Sequence, residues 1–171
     1  EMLKVAELDA RLTWIGTNRI PYTYEVPTLA VDNHMICTVF LGDEKIYLDA
    51  TEEFVPLYEY AERIQGRPVM IENEDSYILD EIPVMPYKNY LVETVQSFKV
   101  DDGVLKGPVT RTYNGESKTN ILRQYSYIES TNKERAIKSL LAVDESTVSV
   151  ADITTSDLED RDEQLKFNFT M

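Results

Sequence analysis

Val31–Thr51, VDNHMICTVFLGDEKIYLDAT, carries the only histidine among 171 residues and an aspartate fifteen positions beyond it. Two β-like runs, His34–Leu41 and Lys45–Asp49, flank Leu-Gly-Asp-Glu, whose Gly-Asp pair signals a hairpin turn. An even-numbered loop makes directly opposed residues sum to an odd number. His34 and Asp49 therefore fall on one face of the hairpin as diagonal neighbours, within reach of each other. A carboxylate that orients an imidazole supplies two members of a nucleophilic triad. Ile36 and Phe40 share the His34 side, while Met35, Cys37 and Val39 point the other way. A strand apolar on both faces is expected inside a sheet.

Around this hairpin the composition is that of an ordinary globular chain, 43% hydrophobic and 28% charged. The length suits one large domain or two small ones. A net charge of −14 argues against nucleic acid and anionic membrane as partners. No apolar run approaches the roughly 20 residues of a membrane helix, so no insertion is expected. One cysteine, Cys37, excludes an internal disulfide.

The opening Glu1–Leu8 reads as the tail of a longer helix, and QLKFNFTM at the far end reads as a strand with no turn after it. Both suggest a fragment of a larger protein. Ala10–Ile15 alternates as a strand, and Asn18–Asp32, with Pro21, Tyr22, Tyr24 and Pro27, reads as an ordered aromatic loop. Thr51–Gly66 is irregular with one helical turn. Pro68–Glu72 and Tyr77–Ile82 form a second hairpin. Pro83 and Pro86 mark a boundary between residues 1–86 and 87–171.

From Lys88 the pattern changes to long alternating strands with turns at Asp101-Asp102-Gly103 and Asn114-Gly115. SKTNILRQYSYIES is expected to be a third strand and Ser130–Leu141 a helix. Val148–Ile153 and Gln164–Phe169 read as strands around the acidic run Asp157–Glu163. Adjacent acids do not converge by themselves, so that run is expected to be a solvated loop and no metal or cofactor is expected. The fold class is α+β: an antiparallel sheet, then a mostly-β, sandwich-like domain with one helix.

A lone histidine in an apolar strand is more often a core residue than a base, but the diagonal Asp49 would fix its tautomer. Cys37 is excluded as its nucleophile by strand parity, because it lies three residues away on the same strand. No serine or threonine has a nucleophile-elbow sequence around it.

MLKVAELDARLTWIGT, the Pro/Tyr loop and NHMICTVFLGDEKIYLDAT together resemble the second half of the transglutaminase-like core, within the papain-like cysteine protease superfamily, as found in large bacterial proteins. Ile15-Gly16-Thr17, Pro21-Tyr22 and IQGRPVMI also resemble members with uncharacterised β-rich flanking domains. The resemblance implies a cysteine at the start of a helix upstream, with His34 as general base and Asp49 as the residue that orients it. It implies thiol acyl transfer on peptide amides, by hydrolysis or transamidation, in the intact parent, and a periplasmic or cell-surface location. This chain alone is then expected to be silent. Trp14, Tyr22 and Tyr24 are candidates to line a peptide or protein substrate cleft, although sheet packing is the plainer reading for Trp14. The competing class is a non-catalytic scaffold whose acidic β-rich half binds a protein or glycan.

Overall fold

The computed structural model describes residues 2–21, 24, 26–142 and 147–171. The chain divides into two compact units, Glu1–Met85 and Pro86–Met171.

The first unit is built on five antiparallel strands: β1 (Asp9–Ile15), β2 (His34–Leu41), β3 (Glu44–Leu48), β4 (Pro68–Asn73) and β5 (Ser76–Glu81). A four-residue helix, α1 (Met2–Val5), precedes them. The order across the sheet is β3-β2-β1-β4-β5, so two hairpins sit on either side of a central β1. Gly42 turns the β2–β3 hairpin at φ +64°. Its register pairs Cys37 with Leu48 and Thr38 with Tyr47, which fixes the faces. One face carries Ile15, Ile36, Tyr47, Val69 and Ile71. The segment after β3 folds back over it and adds Tyr60, Ala61 and Ile64 to the same buried cluster, and Ile82, just past β5, joins them. Each isoleucine buried this way contributes about 1.5–3 kcal/mol relative to exposure. Tyr47 and Tyr60 meet edge to face at 5.9 Å. At the centre of the sheet the hydroxyls of Thr13 and Thr38 satisfy each other at 2.6 Å.

β2 is paired on both sides, but it is not buried on both faces. Val39 is covered on the side away from the core, whereas Met35 is 53% exposed there. The alternation of β2 predicts which residues share a face, not whether another layer covers that face.

In the second unit β6 (Val92–Gln96), β9 (Pro108–Tyr113), β10 (Ala151–Thr155) and β11 (Leu165–Thr170) form an antiparallel sheet ordered β10-β11-β9-β6. β7 (Lys99–Asp101) and β8 (Val104–Lys106) make a separate small hairpin turned by Asp102-Gly103. Leu165, Phe167 and Phe169 alternate inward on β11, with Val109 and Tyr113 beside them on β9. The opposite face is polar: Thr110 donates to Asn168 at 2.9 Å. The chain crosses itself closely where β6 gives way to β7. A Cβ on Gly107 would stand 1.9 Å from the Ser97 carbonyl oxygen, so only glycine fits.

The chain is α+β and rich in antiparallel strands, as its sequence implies, but the expectation of a sandwich with one helix is corrected here. Residues 115–126 are a helix, α2 (Gly115–Ser126), and a second helix follows, α3 (Lys133–Ala142). Among the described residues of this unit, a four-stranded sheet, the small β7–β8 hairpin and two helices stand in place of the sandwich. Asn114-Gly115 does not turn a hairpin: Asn114 precedes α2, and its side chain binds the Leu91 carbonyl and Gln164. Lys118, Thr119 and Leu122, at helical spacing, are the buried positions of α2. The acidic loop at 157–163 is held from inside, because the buried Lys118 ammonium donates to the carbonyl oxygens of Arg161 and Glu163.

Candidate functional site

His34 opens β2, and its position is set by its neighbour. Asn33 accepts from the Thr17 amide at 2.9 Å and donates to the Thr17 hydroxyl at 3.0 Å, tying the entrance of β2 to the end of β1. Ile15 then lies directly opposite His34. On the other side, β3 ends at Leu48 and Asp49 follows it, one diagonal step from His34. The His34 Nε2 to Asp49 Oδ2 distance is 2.8 Å, with side-chain exposures of 15% and 6%.

Asp49 accepts more than the histidine. Its Oδ1 takes the Thr51 amide at 3.0 Å and the Thr51 hydroxyl at 2.7 Å. Its Oδ2 also takes Arg63 Nη2 at 2.7 Å. Arg63 comes from a short 3-10 turn, Glu62–Ile64, which Ile64 pins into the core. The same guanidinium donates to the Thr51 hydroxyl at 2.9 Å, and through Nε to Glu52 at 3.0 Å. Burial pushes the Asp49 carboxyl up, but the hydrogen bonds from Thr51 and His34 outweigh it. The group ends below the ordinary carboxylate value.

Among the described residues nothing bonds to His34 Nδ1, and no buried polar side-chain atom lacks a partner. Nδ1 is therefore not sealed from solvent, on a side chain that is mostly covered. With Nε2–H directed at a carboxylate, the lone pair of the neutral ring lies on Nδ1. The arrangement can accept a proton at Nδ1 and stabilise the resulting imidazolium through Asp49.

Cys37 is on the other side of the sheet. Its register partners are Leu12 and Leu48, and its sulfur contacts the Thr38 carbonyl. Burial pushes the Cys37 thiol up, away from a reactive thiolate. Trp14 also faces away from His34, paired with Met35 and Met70, so the two do not share a cleft. Tyr24 spends its hydroxyl on both Asp32 oxygens at 2.8 Å, which with burial pushes its pKa up. Tyr22 lies outside the described residues. Among the described residues no group of three or more His, Cys, Asp or Glu side chains is placed to hold a metal ion. No described helix is long and apolar enough to cross a membrane.

Sequence reading missed Arg63. It sits in an irregular stretch, ERIQG, where neither periodicity nor spacing links it to Asp49. The only available signal was that a carboxylate buried beside a neutral ring needs a cation.

No protein-family model matches the chain, and neither do the curated proteins or solved structures compared with it.

Proposed function

We propose that the first unit is the base-and-orienter half of a transglutaminase-like thiol acyl-transfer site acting on peptide or protein amides. The observation that carries this reading is the His34 Nε2–Asp49 Oδ2 contact at 2.8 Å together with an open Nδ1. It leaves the basic nitrogen available to a thiol. In such a site Nδ1 takes the thiol proton as sulfur bonds to the amide carbonyl carbon. The tetrahedral adduct then collapses, the C–N bond breaks, and the imidazolium returns the proton to the departing amine. Water or a second amine releases the acyl group from sulfur by the reverse sequence. The thiol in this proposal is not Cys37, whose face and raised pKa both disqualify it.

A second reading has its own observation. Arg63 and Thr51 supply three of the four donors on Asp49, so the carboxylate also serves as a latch that fixes the segment after β3 to the sheet. On that reading His34 is one more satisfied partner in a non-catalytic scaffold.

The test is iodoacetamide labelling of the full-length gene product at neutral pH. The thiol-enzyme reading expects one fast-reacting cysteine other than Cys37, slowed at least tenfold by His34→Ala. Labelling confined to Cys37, or indifferent to His34→Ala, overturns it in favour of the scaffold.

A further inference from the structure

We infer that Arg63 is a positioning residue that sets the basicity and tautomer of His34 through the Asp49 oxygen they share. The inference rests on the proposed reading of His34 as a base and adds a control element to it.

Two donors converge on one atom: His34 Nε2 is 2.8 Å and Arg63 Nη2 2.7 Å from Asp49 Oδ2. The other oxygen is occupied by Thr51. With both oxygens taken, the carboxylate has no free rotation, and Oδ2 is held at the position that receives Nε2–H. The ring is thereby kept in one tautomer. The charge balance follows from the same geometry. A permanent guanidinium beside Oδ2 offsets the carboxylate charge before the imidazole is protonated. An imidazolium formed there meets a carboxylate already shared with a like charge, so its stabilisation is smaller than Asp49 alone would provide. Glu52, 2.9 Å from the same Nη2, draws part of that positive charge away. The His34 ring thus reads a three-member ladder of Asp49, Arg63 and Glu52.

Two other charged side chains at this end of the sheet, Asp32 and Arg67, have partners of their own. Asp32 accepts from the Tyr24 hydroxyl, and Arg67 donates to the Gly16 carbonyl at 2.6 Å while attracting Asp32. The residues facing His34 from β1 and β4, Ile15 and Val69, are apolar.

A single histidine makes the test direct. The His34 ring is followed by proton–nitrogen NMR across pH in the folded chain and three variants. Arg63→Gln removes the charge and should raise the His34 midpoint by about one pH unit, the scale of a charge removed at close range. Arg63→Lys keeps the charge and should restore most of the original midpoint. Glu52→Gln, lying outside the His34–Asp49 contact, should move the midpoint the opposite way, downward. Opposite movements in Arg63→Gln and Glu52→Gln support the ladder, and a merely structural Arg63 would move neither. If the parent ring carries its proton on Nε2 but neither variant shifts it, the Arg63 role is wrong and the base reading stands. If the parent ring carries its proton on Nδ1, the base reading itself fails. Should Arg63→Gln not fold, the sign of the Glu52→Gln shift alone decides.

Discussion

Asp49 Oδ2 lies 2.8 Å from His34 Nε2 although the residues are fifteen positions apart, one opening β2 and the other just past the end of β3. The contact follows from a two-residue turn at Gly42-Asp43 and the register it imposes, so hairpin geometry alone delivers the carboxylate to the ring. Changing the turn by one residue would put Asp49 on the opposite face.

Asp49 should couple stability to pH. Its folded-state value is below the ordinary one of about 3.9, so the folded state prefers the ionised form. That contribution is fully present above about pH 4 and is lost as pH falls through the lower folded value. Chemical denaturation of the parent and of Asp49→Asn at several pH values checks this. The variant should be less stable by about 1–3 kcal/mol near neutrality, from weakening the charged acceptor shared by Thr51, His34 and Arg63, while Arg63 keeps Glu52. The gap should narrow under acid. A gap that widens on acidification contradicts the assignment.

Cys37 should behave as a half-buried structural thiol. Its alkylation in the folded chain should be at least tenfold slower than in denaturant at the same pH, and His34→Ala should leave that rate unchanged. Any dependence of Cys37 reactivity on His34 would place the two on one face, against the register that pairs Cys37 with Leu48.

Tyr47 offers a stability test away from the candidate site. Its hydroxyl donates to Asp80 at 2.6 Å, and Lys45 pairs with the same carboxylate across from β3. Burial raises the Asp80 value, but the Lys45 and Tyr47 hydrogen bonds bring it below the ordinary range. Tyr47→Phe should cost about 1–2 kcal/mol by removing one donor from a charged acceptor. An unchanged denaturation midpoint would mean that water replaces the hydroxyl without loss.

Gly107→Ala tests the close crossing in the second unit. With a Cβ 1.9 Å from the Ser97 oxygen and backbone on both sides, the chain must open. The expected loss is more than about 2 kcal/mol, from strain rather than from any missing contact. Wild-type stability in this variant would show that the crossing relaxes freely.

What the sequence made legible was local. Strand alternation and the Gly42 turn place His34, Asp49 and Cys37 on their faces, because a period of two leaves no choice once a register is set. The pairing of β1 with β4, which joins two hairpins into one sheet, has no local signature. α2 shows how a pattern misleads: Ile121, Tyr125 and Tyr127 fall on alternating positions and favour strands. The helix forms instead because Thr119 and Leu122, one helical turn apart, are the positions the core buries. Asn114-Gly115 carries the same lesson, since Gly115 at φ +53° opens a helix beneath Tyr90 where a hairpin turn was the natural reading. Arg63 was invisible for a different reason. Long-range ion pairs depend on how an irregular segment folds back, and nothing in ERIQG announces its partner.

The most direct measurement is the tautomer of His34, read from its ring nitrogen shifts in the folded chain above the pH at which the ring is neutral. A base oriented by Asp49 must carry its proton on Nε2 and leave Nδ1 unprotonated, and Asp49→Ala should abolish that preference. A proton on Nδ1, or a tautomer ratio indifferent to Asp49, would contradict the account.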